Sequence, residues 1–75
     1  MHTTPCTPAQ MKANDVIHMH GGRFKVTTDA TPSAWMQGVW VAQAVCIEGE
    51  CGGYFRPGSP WTFQGNDLAR FYREA

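Results

Sequence analysis

Hydrophobic and polar residues alternate along residues 15–28, and this pattern predicts a β-hairpin. Val16 to Met19 and Arg23 to Thr28 are rich in β-branched and aromatic side chains. Between these two runs, Gly21-Gly22 can supply the positive φ angles that a tight hairpin turn requires. Because side chains alternate along a strand, the second run has one face with Phe24, Val26 and Thr28 and another with Arg23, Lys25 and Thr27. We expect the first face to lie inward and the second to face water.

The longest apolar stretch, Trp35 to Ile47, predicts a central strand. Its length and its alanines would also suit a helix, but Gly38 and the cluster of Val, Trp and Ile favour a strand. Both faces of this strand would be partly apolar, as expected for a strand in the middle of a barrel that bends strongly, with the bend at Gly38.

The remaining residues divide into a lead-in, short strands and a tail. Residues 1–10 contain two prolines and three threonines without hydrophobic periodicity, so we expect an irregular lead-in followed by a single domain over residues 11–75. Tyr54-Phe55 and Trp61 to Phe63 predict further short strands between turns rich in glycine and proline. The apolar spacing in residues 67–74 favours a short helical turn followed by an extended end, with a last strand as the alternative.

Together these elements predict a mainly β fold, a small antiparallel SH3-like barrel or roll of four to six short strands with a short C-terminal helical turn. A core this small needs aromatic side chains, and we expect them to come at least from Phe24, Trp40, Phe55 and Phe63.

Composition supports a folded domain and narrows the choice of partners. Charged residues make up only 16% of the 75 residues and hydrophobic residues 43%, which argues against disorder. Six basic and six acidic residues leave zero formal charge, whereas a module that binds nucleic acid mainly through phosphates should be basic. Zero net charge also permits a homodimer. The chain has neither an apolar run of ~20 residues nor the pattern of a signal peptide, so we expect a cytoplasmic protein and no membrane partner.

The hairpin segment D-V-I-H-M-H-G-G-R-F-K-V resembles the G-D-x-V…G…F-x-V opening of SH3-like small barrels, with Asn14 in place of the usual glycine. The small size, the tryptophan content and the lack of enzyme motifs resemble the small accessory proteins that bacteriophages and prophages encode. This resemblance covers about a third of the chain. It implies a barrel fold and a role in engaging, and inhibiting, a host or viral protein.

Metal binding is one chemical hypothesis that the sequence raises. Thiolate and imidazole are ligands that zinc prefers, and His18, His20, Cys46 and Cys51 would make a Cys2His2 set. The usual zinc knuckle has two residues between its cysteines, whereas Cys46 and Cys51 are separated by four. The alternatives are a disulfide between these two cysteines, or free thiols and exposed histidines. We expect no metal and no cofactor.

Catalysis is not indicated either. The chain has no G-x-S-x-G motif, no phosphate-binding glycine loop and no C-x-x-C motif, so we expect no enzyme activity.

Binding is therefore the function that the sequence favours. The candidate residues are the outer face and turn of the hairpin together with three aromatic anchors, namely His20, Arg23, Lys25, Trp35, Tyr54 and Trp61. The partner we expect is a protein. The alternative is a nucleic-acid-binding barrel, in which much the same surface stacks the bases of single-stranded DNA or RNA and holds their phosphates.

Overall fold

The computed structural model describes residues 2–19, 21–49 and 56–74. These residues contain seven strands and one 3-10 turn, η1, at Pro8–Gln10. The strands are β1 (Thr3–Cys6), β2 (Val16–Met19), β3 (Gly22–Val26), β4 (Thr31–Pro32), β5 (Trp40–Glu48), β6 (Pro60–Gly65) and β7 (Phe71–Glu74). Within the described residues no helix has the length and apolar composition needed to cross a membrane.

The strands form one antiparallel sheet that curls into a half-barrel. Its order is β1-β7-β2-β3-β5-β4, and β6 pairs with the other side of β5. The mainly β fold predicted from the sequence is confirmed, with seven strands in the described residues rather than four to six. β5 lies inside this sheet, since it pairs with β4 and β3 in succession on one side and with β6 on the other.

The first hairpin is confirmed, except that β3 ends at Val26 and Thr28, which was expected to face inward, is exposed. The register of the hairpin is set by burial. Ile17 is paired with Phe24, and both side chains are fully buried. A slip of one residue would turn both toward water. The turn differs slightly from the prediction, since Gly22 already belongs to β3 and pairs with Met19, while Gly21 before it has a φ of 78°.

The central strand begins later than the apolar stretch does. β5 starts at Trp40, and Gly38, with a φ of 80°, lies in the loop before it rather than at a bend within it. The face of β5 that carries Ala42, Ala44 and Cys46 is buried. These side chains are small, so the aromatic rings of β3 and β6 can pack over them.

The core combines aromatic rings with small and aliphatic side chains. Phe24 and Phe63 are buried as predicted, with ring centroids 5.8 Å apart in an edge-to-face arrangement. Trp40 is only half-buried, because it lies at the first position of β5, where the sheet ends. Phe55, the fourth predicted core residue, lies outside the described residues. Within the described residues, the buried hydrophobic core consists of Cys6, Met11, Ile17, Phe24, Val26, Ala42, Ala44, Cys46 and Phe63.

The predicted irregular lead-in is instead part of the sheet. β1 pairs with β7 over four residues, Cys6 is buried in the core, and Pro8 is buried in the 3-10 turn that follows. The prediction failed because β1 shows no alternation and contains Pro5. A proline is tolerated here, since β1 pairs only with β7 among the described strands and so lies at an edge of the sheet.

The predicted C-terminal helical turn is also corrected. Asn66 accepts a backbone hydrogen bond from Ala69 (3.2 Å), which closes a reverse turn, and Phe71–Glu74 is then the strand β7. The extended end of the prediction is confirmed. The segment forms a strand because β7 lies between β1 and β2, where its backbone groups can form hydrogen bonds on both sides. Eight residues are, in contrast, too few to hold an isolated helix.

Candidate functional site

The loop between β4 and β5 presents Trp35 to solvent. The Ser33 hydroxyl accepts hydrogen bonds from the backbone N–H groups of Trp35 (3.1 Å) and Met36 (3.2 Å). The Ser33 N–H donates to the Val39 carbonyl at 2.7 Å and thereby closes the base of the loop. The loop is therefore held by its own hydrogen bonds, yet the Trp35 side chain is 94% exposed and Met36 is 49% exposed.

Another exposed apolar side chain, that of Leu68, lies in a turn at the same end of the sheet. Trp40, the first residue of β5, pairs with Gly65, the last residue of β6. The loop before Trp40 and the turn after Gly65 therefore start side by side. That turn carries Leu68, which is 79% exposed. We call Trp35, Met36 and Leu68 the apolar rim.

A group of charged side chains occupies the outer face of the sheet. Arg23 donates from Nη1 to Glu48 Oε2 (2.7 Å) and from Nη2 to Glu74 Oε2 (2.9 Å) and Oε1 (3.1 Å). His18, the cross-strand neighbour of Arg23, has its Nε2 at 3.5 Å from Glu74 Oε1. We call His18, Arg23, Glu48 and Glu74 the outer charge cluster. It connects β2, β3, β5 and β7.

The electrostatics of this cluster favour the ion pairs. The hydrogen bonds from Arg23 lower the pKa of the Glu74 carboxyl, and the contact with His18 lowers it further. Glu74 and, to a smaller extent, Glu48 raise the pKa of Arg23. Two carboxylates thus neutralise the guanidinium, which leaves it less able to attract a phosphate.

An open cavity lies beside the outer charge cluster. It has a volume of about 420 Å³ and is lined by His18, Met19, Gly21, Gly22, Arg23 and Glu48.

The structure places the predicted binding residues in different environments. Lys25 is exposed on the outer face of β3, whereas Arg23 is half-buried within the charge cluster. Trp61 lies on the inner face, where its ring centroid is 6.2 Å from that of Phe24 and 6.5 Å from that of Phe63. His20 and Tyr54, the other two predicted residues, lie outside the described residues.

Trp35 and Arg23 belong to two separate surfaces. Arg23 pairs with Glu48 at the end of β5, and Trp35 precedes the start of the same strand. A strand of nine residues is roughly 26 Å long at about 3.3 Å per residue.

The sequence did not indicate Met36, Leu68, Glu48 or Glu74 as binding-site residues. The cross-strand pairing that brings Glu48 and Glu74 to Arg23 could not be deduced before the strand order was known.

The predicted zinc ligands are not brought together in the described part of the chain. His18 lies on the outer face opposite Arg23, whereas Cys46 lies on the inner face opposite Phe24. Cys46 is a buried free thiol whose Sγ lies 3.5 Å from the Glu48 carbonyl oxygen. His20 and Cys51 lie outside the described residues, within which no three His, Cys, Asp or Glu side chains are grouped for a metal ion.

Cys6 is the other buried free thiol of the described residues. Burial raises its pKa, while the charge of Arg73 acts in the opposite direction. A raised pKa keeps a thiol protonated and weakly nucleophilic at neutral pH, so we interpret Cys6 as a core residue.

Comparison with known protein families, curated proteins and solved structures finds no match for this chain.

Proposed function

We propose that this protein is a non-enzymatic protein-binding module and that Trp35 is the anchor of its binding surface. The observation that supports this proposal is the exposure of the Trp35 side chain, 94%, on a loop that is held by hydrogen bonds to Ser33. Tryptophan is enriched among the few residues that carry most of the energy of an interface. A loop already held in place loses little conformational freedom on binding, so more of the contact energy remains as affinity.

The surroundings of Trp35 indicate the chemistry of the partner. The other residues of its loop, Ser33 to Val39, carry no charge, and Met36 adds a second apolar side chain there, while Leu68 is exposed in the turn at the same end of the sheet. A partner would therefore present an apolar cleft that takes up the indole ring, with little electrostatic steering. The resemblance of residues 15–26 to SH3-like barrels, and of the size and tryptophan content of the chain to those of phage accessory proteins, favours a bacterial host protein or a viral protein as this partner.

The test compares Trp35→Ala with Gln37→Ala, an exposed polar residue of the same loop. Each tagged variant is used for affinity capture from a bacterial extract, with and without nuclease, and the captured protein is then titrated against each variant. Loss of a central tryptophan contact of about 2 kcal/mol or more would weaken the affinity roughly 30-fold, whereas Gln37→Ala would stay close to wild type. Equal affinities for wild type and Trp35→Ala, with both folded by circular dichroism, would contradict the proposal.

The same experiment tests the nucleic-acid alternative. Arg23 is already paired with two carboxylates, whereas Lys25 forms no ion pair within residues 2–19, 21–49 and 56–74 and is exposed. Nucleic-acid binding would replace the proposal if nuclease removed the captured material and if Lys25→Gln made the dependence of log affinity on log salt concentration shallower. The expected change in that slope is the loss of about one phosphate contact.

A further inference from the structure

The backbone hydrogen bonds of β5 show which way each residue of β6 faces. The Gln43 carbonyl accepts from Thr27 N–H (2.8 Å), and Gln43 N–H donates to Thr28 Oγ1 (3.2 Å), so the backbone of Gln43 faces away from β6. Cys46, in contrast, donates to the Ser59 carbonyl (2.9 Å) and accepts from Gly58 N–H (2.7 Å). Backbone groups alternate along a strand, so the backbones of Ala42 and Ala44 also face β6.

The register of β6 then shows which of its backbone N–H and C=O groups point away from β5. Ala42 pairs with Phe63 and Ala44 with Trp61, so these two residues of β6 direct their N–H and C=O groups toward β5. The N–H and C=O groups of Thr62 and Gln64 therefore point to the other side. Both residues are exposed, and no backbone group in the described ranges forms a hydrogen bond with them there.

The open part of this edge runs from Pro60 to Gln64. At Gly65 the inner face of the sheet is filled, because an added Cβ would lie 2.9 Å from Ala69 Cβ and 3.2 Å from Pro8 Cγ. Native sheets protect their edges with charges, prolines or bulges. β1, at the opposite end of the sheet, has Pro5 within its four residues, whereas β6 has a proline only at its first position and no charged residue.

The outer face next to this edge is also uncharged. On β5 it is formed by Val41, Gln43 and Val45, and on β6 by Pro60, Thr62 and Gln64. The Thr62 hydroxyl donates a hydrogen bond to Gln43 Oε1 (3.0 Å). A second copy of the chain could approach this face without repulsion between like charges, and the zero net charge of the protein adds no long-range repulsion.

We propose that β6 pairs in antiparallel fashion with β6 of a second copy, so that two half-barrels share one continuous sheet. A two-fold axis at Phe63 places Thr62 opposite Gln64 of the second copy. Every outward N–H and C=O group of Thr62 and Gln64 then has a partner, and the closed symmetry leaves no further copy to add at this edge. This surface is distinct from the apolar rim, so the dimer and the protein-binding proposal can fail independently.

The proposal is tested by sedimentation equilibrium of the full chain between 10 µM and 1 mM. A short strand pair is a small interface, for which we expect a dissociation constant on the order of 100 µM. Gln64→Pro removes an outward N–H without removing a bond to β5, and we expect it to weaken dimerisation at least tenfold. A Thr62→Lys, Gln64→Lys double variant, which does not depend on accommodating a proline, should do the same.

Gln43→Lys is the matched control. It places a lysine on the same outer face and loses the same Thr62–Gln43 hydrogen bond, but it lies on β5, away from the edge. We expect its dissociation constant to stay within about threefold of wild type. In parallel, amide exchange of Thr62 and Gln64 should slow as concentration rises, while that of Phe63 should not change.

Three results would overturn the proposal. These are a wild-type protein that stays monomeric up to 1 mM, edge variants that dimerise like wild type, and assemblies that grow beyond a dimer.

Discussion

Single residues decide how closely the end of β5 approaches the first hairpin. Gly49 has a φ of 97°, and a Cβ added to it would lie 2.8 Å from Gly22 Cα and 2.9 Å from the Gly21 carbonyl oxygen. Backbone meets backbone here, so neither side can give way cheaply. Gly58 has a similar φ of 95° but no atom within 4 Å of an added Cβ. The two glycines therefore separate the effect of conformation from the effect of contact.

We predict that Gly49→Ala destabilises the protein more than Gly58→Ala does. Both variants place a side chain in a left-handed conformation, at a cost of about 1–2 kcal/mol. Gly49→Ala adds an overpacking cost of about 1–3 kcal/mol. Urea unfolding of the two variants and wild type measures the difference. Equal free energies of unfolding would show that the hairpin moves away from Gly49 without cost.

At the scale of the elements, β7 links the first strand of the chain to the first hairpin. It pairs with β1 on one side and β2 on the other, and Glu74 extends its contacts to Arg23 on β3. The Glu74 side chain is only 15% exposed, whereas Glu48, the other carboxylate on Arg23, is 64% exposed. Salt bridges at exposed positions contribute little, so Glu74 should matter more than Glu48.

The lowered pKa of Glu74 predicts an acid-dependent loss of stability. Its pKa in the folded protein lies below the usual 4.5, so its contribution is fully present above pH 4.5 and is lost as pH falls through the folded pKa. Urea unfolding of Glu74→Gln at a series of pH values should show a deficit relative to wild type at pH 7 that shrinks under acid conditions.

Glu48→Gln serves as the control for this series, with a smaller deficit at pH 7. A deficit for Glu74→Gln that stayed constant down to pH 2 would mean that the ion pair with Arg23 does not stabilise the fold.

For the whole molecule, the first strand matters because it completes the sheet. β1 pairs with β7, so residues far apart in sequence are neighbours in the sheet. Cys6, Pro8 and Met11 together bring the first part of the chain into the core. The outer charge cluster reinforces this arrangement, since it holds β7 to β3 across the intervening strand β2.

We predict that removal of residues 2–6 lowers the free energy of unfolding by at least ~2 kcal/mol, because a buried side chain and a complete strand pair are lost. A large part of the stability of a chain this small would disappear, and thermal unfolding by circular dichroism would detect it. A Thr3→Ala, Thr4→Ala double variant keeps the strand and removes only exposed side chains, so it should change stability by less than ~1 kcal/mol. A truncated protein as stable as this control would show that β1 adds nothing to the fold.

The sequence by itself determined those elements whose signal is local. Alternation specified the first hairpin, with Phe24 and Val26 on its inner face, and the β-branched residues of the apolar stretch specified the central strand. These predictions held because each depends on side-chain period and turn chemistry within a few residues.

Only the tertiary structure decided the features that depend on pairing between distant segments. β1 has no alternation and β7 has helical spacing, but each becomes a strand because the other lies beside it. In the same way, strand order turned Arg23 from an exposed cation into the centre of an ion-pair cluster. It also placed β6 so that, among the described strands, only β5 pairs with it. Hydrogen bonds and ion pairs between strands depend on which strands are neighbours, and a one-dimensional pattern does not contain that information.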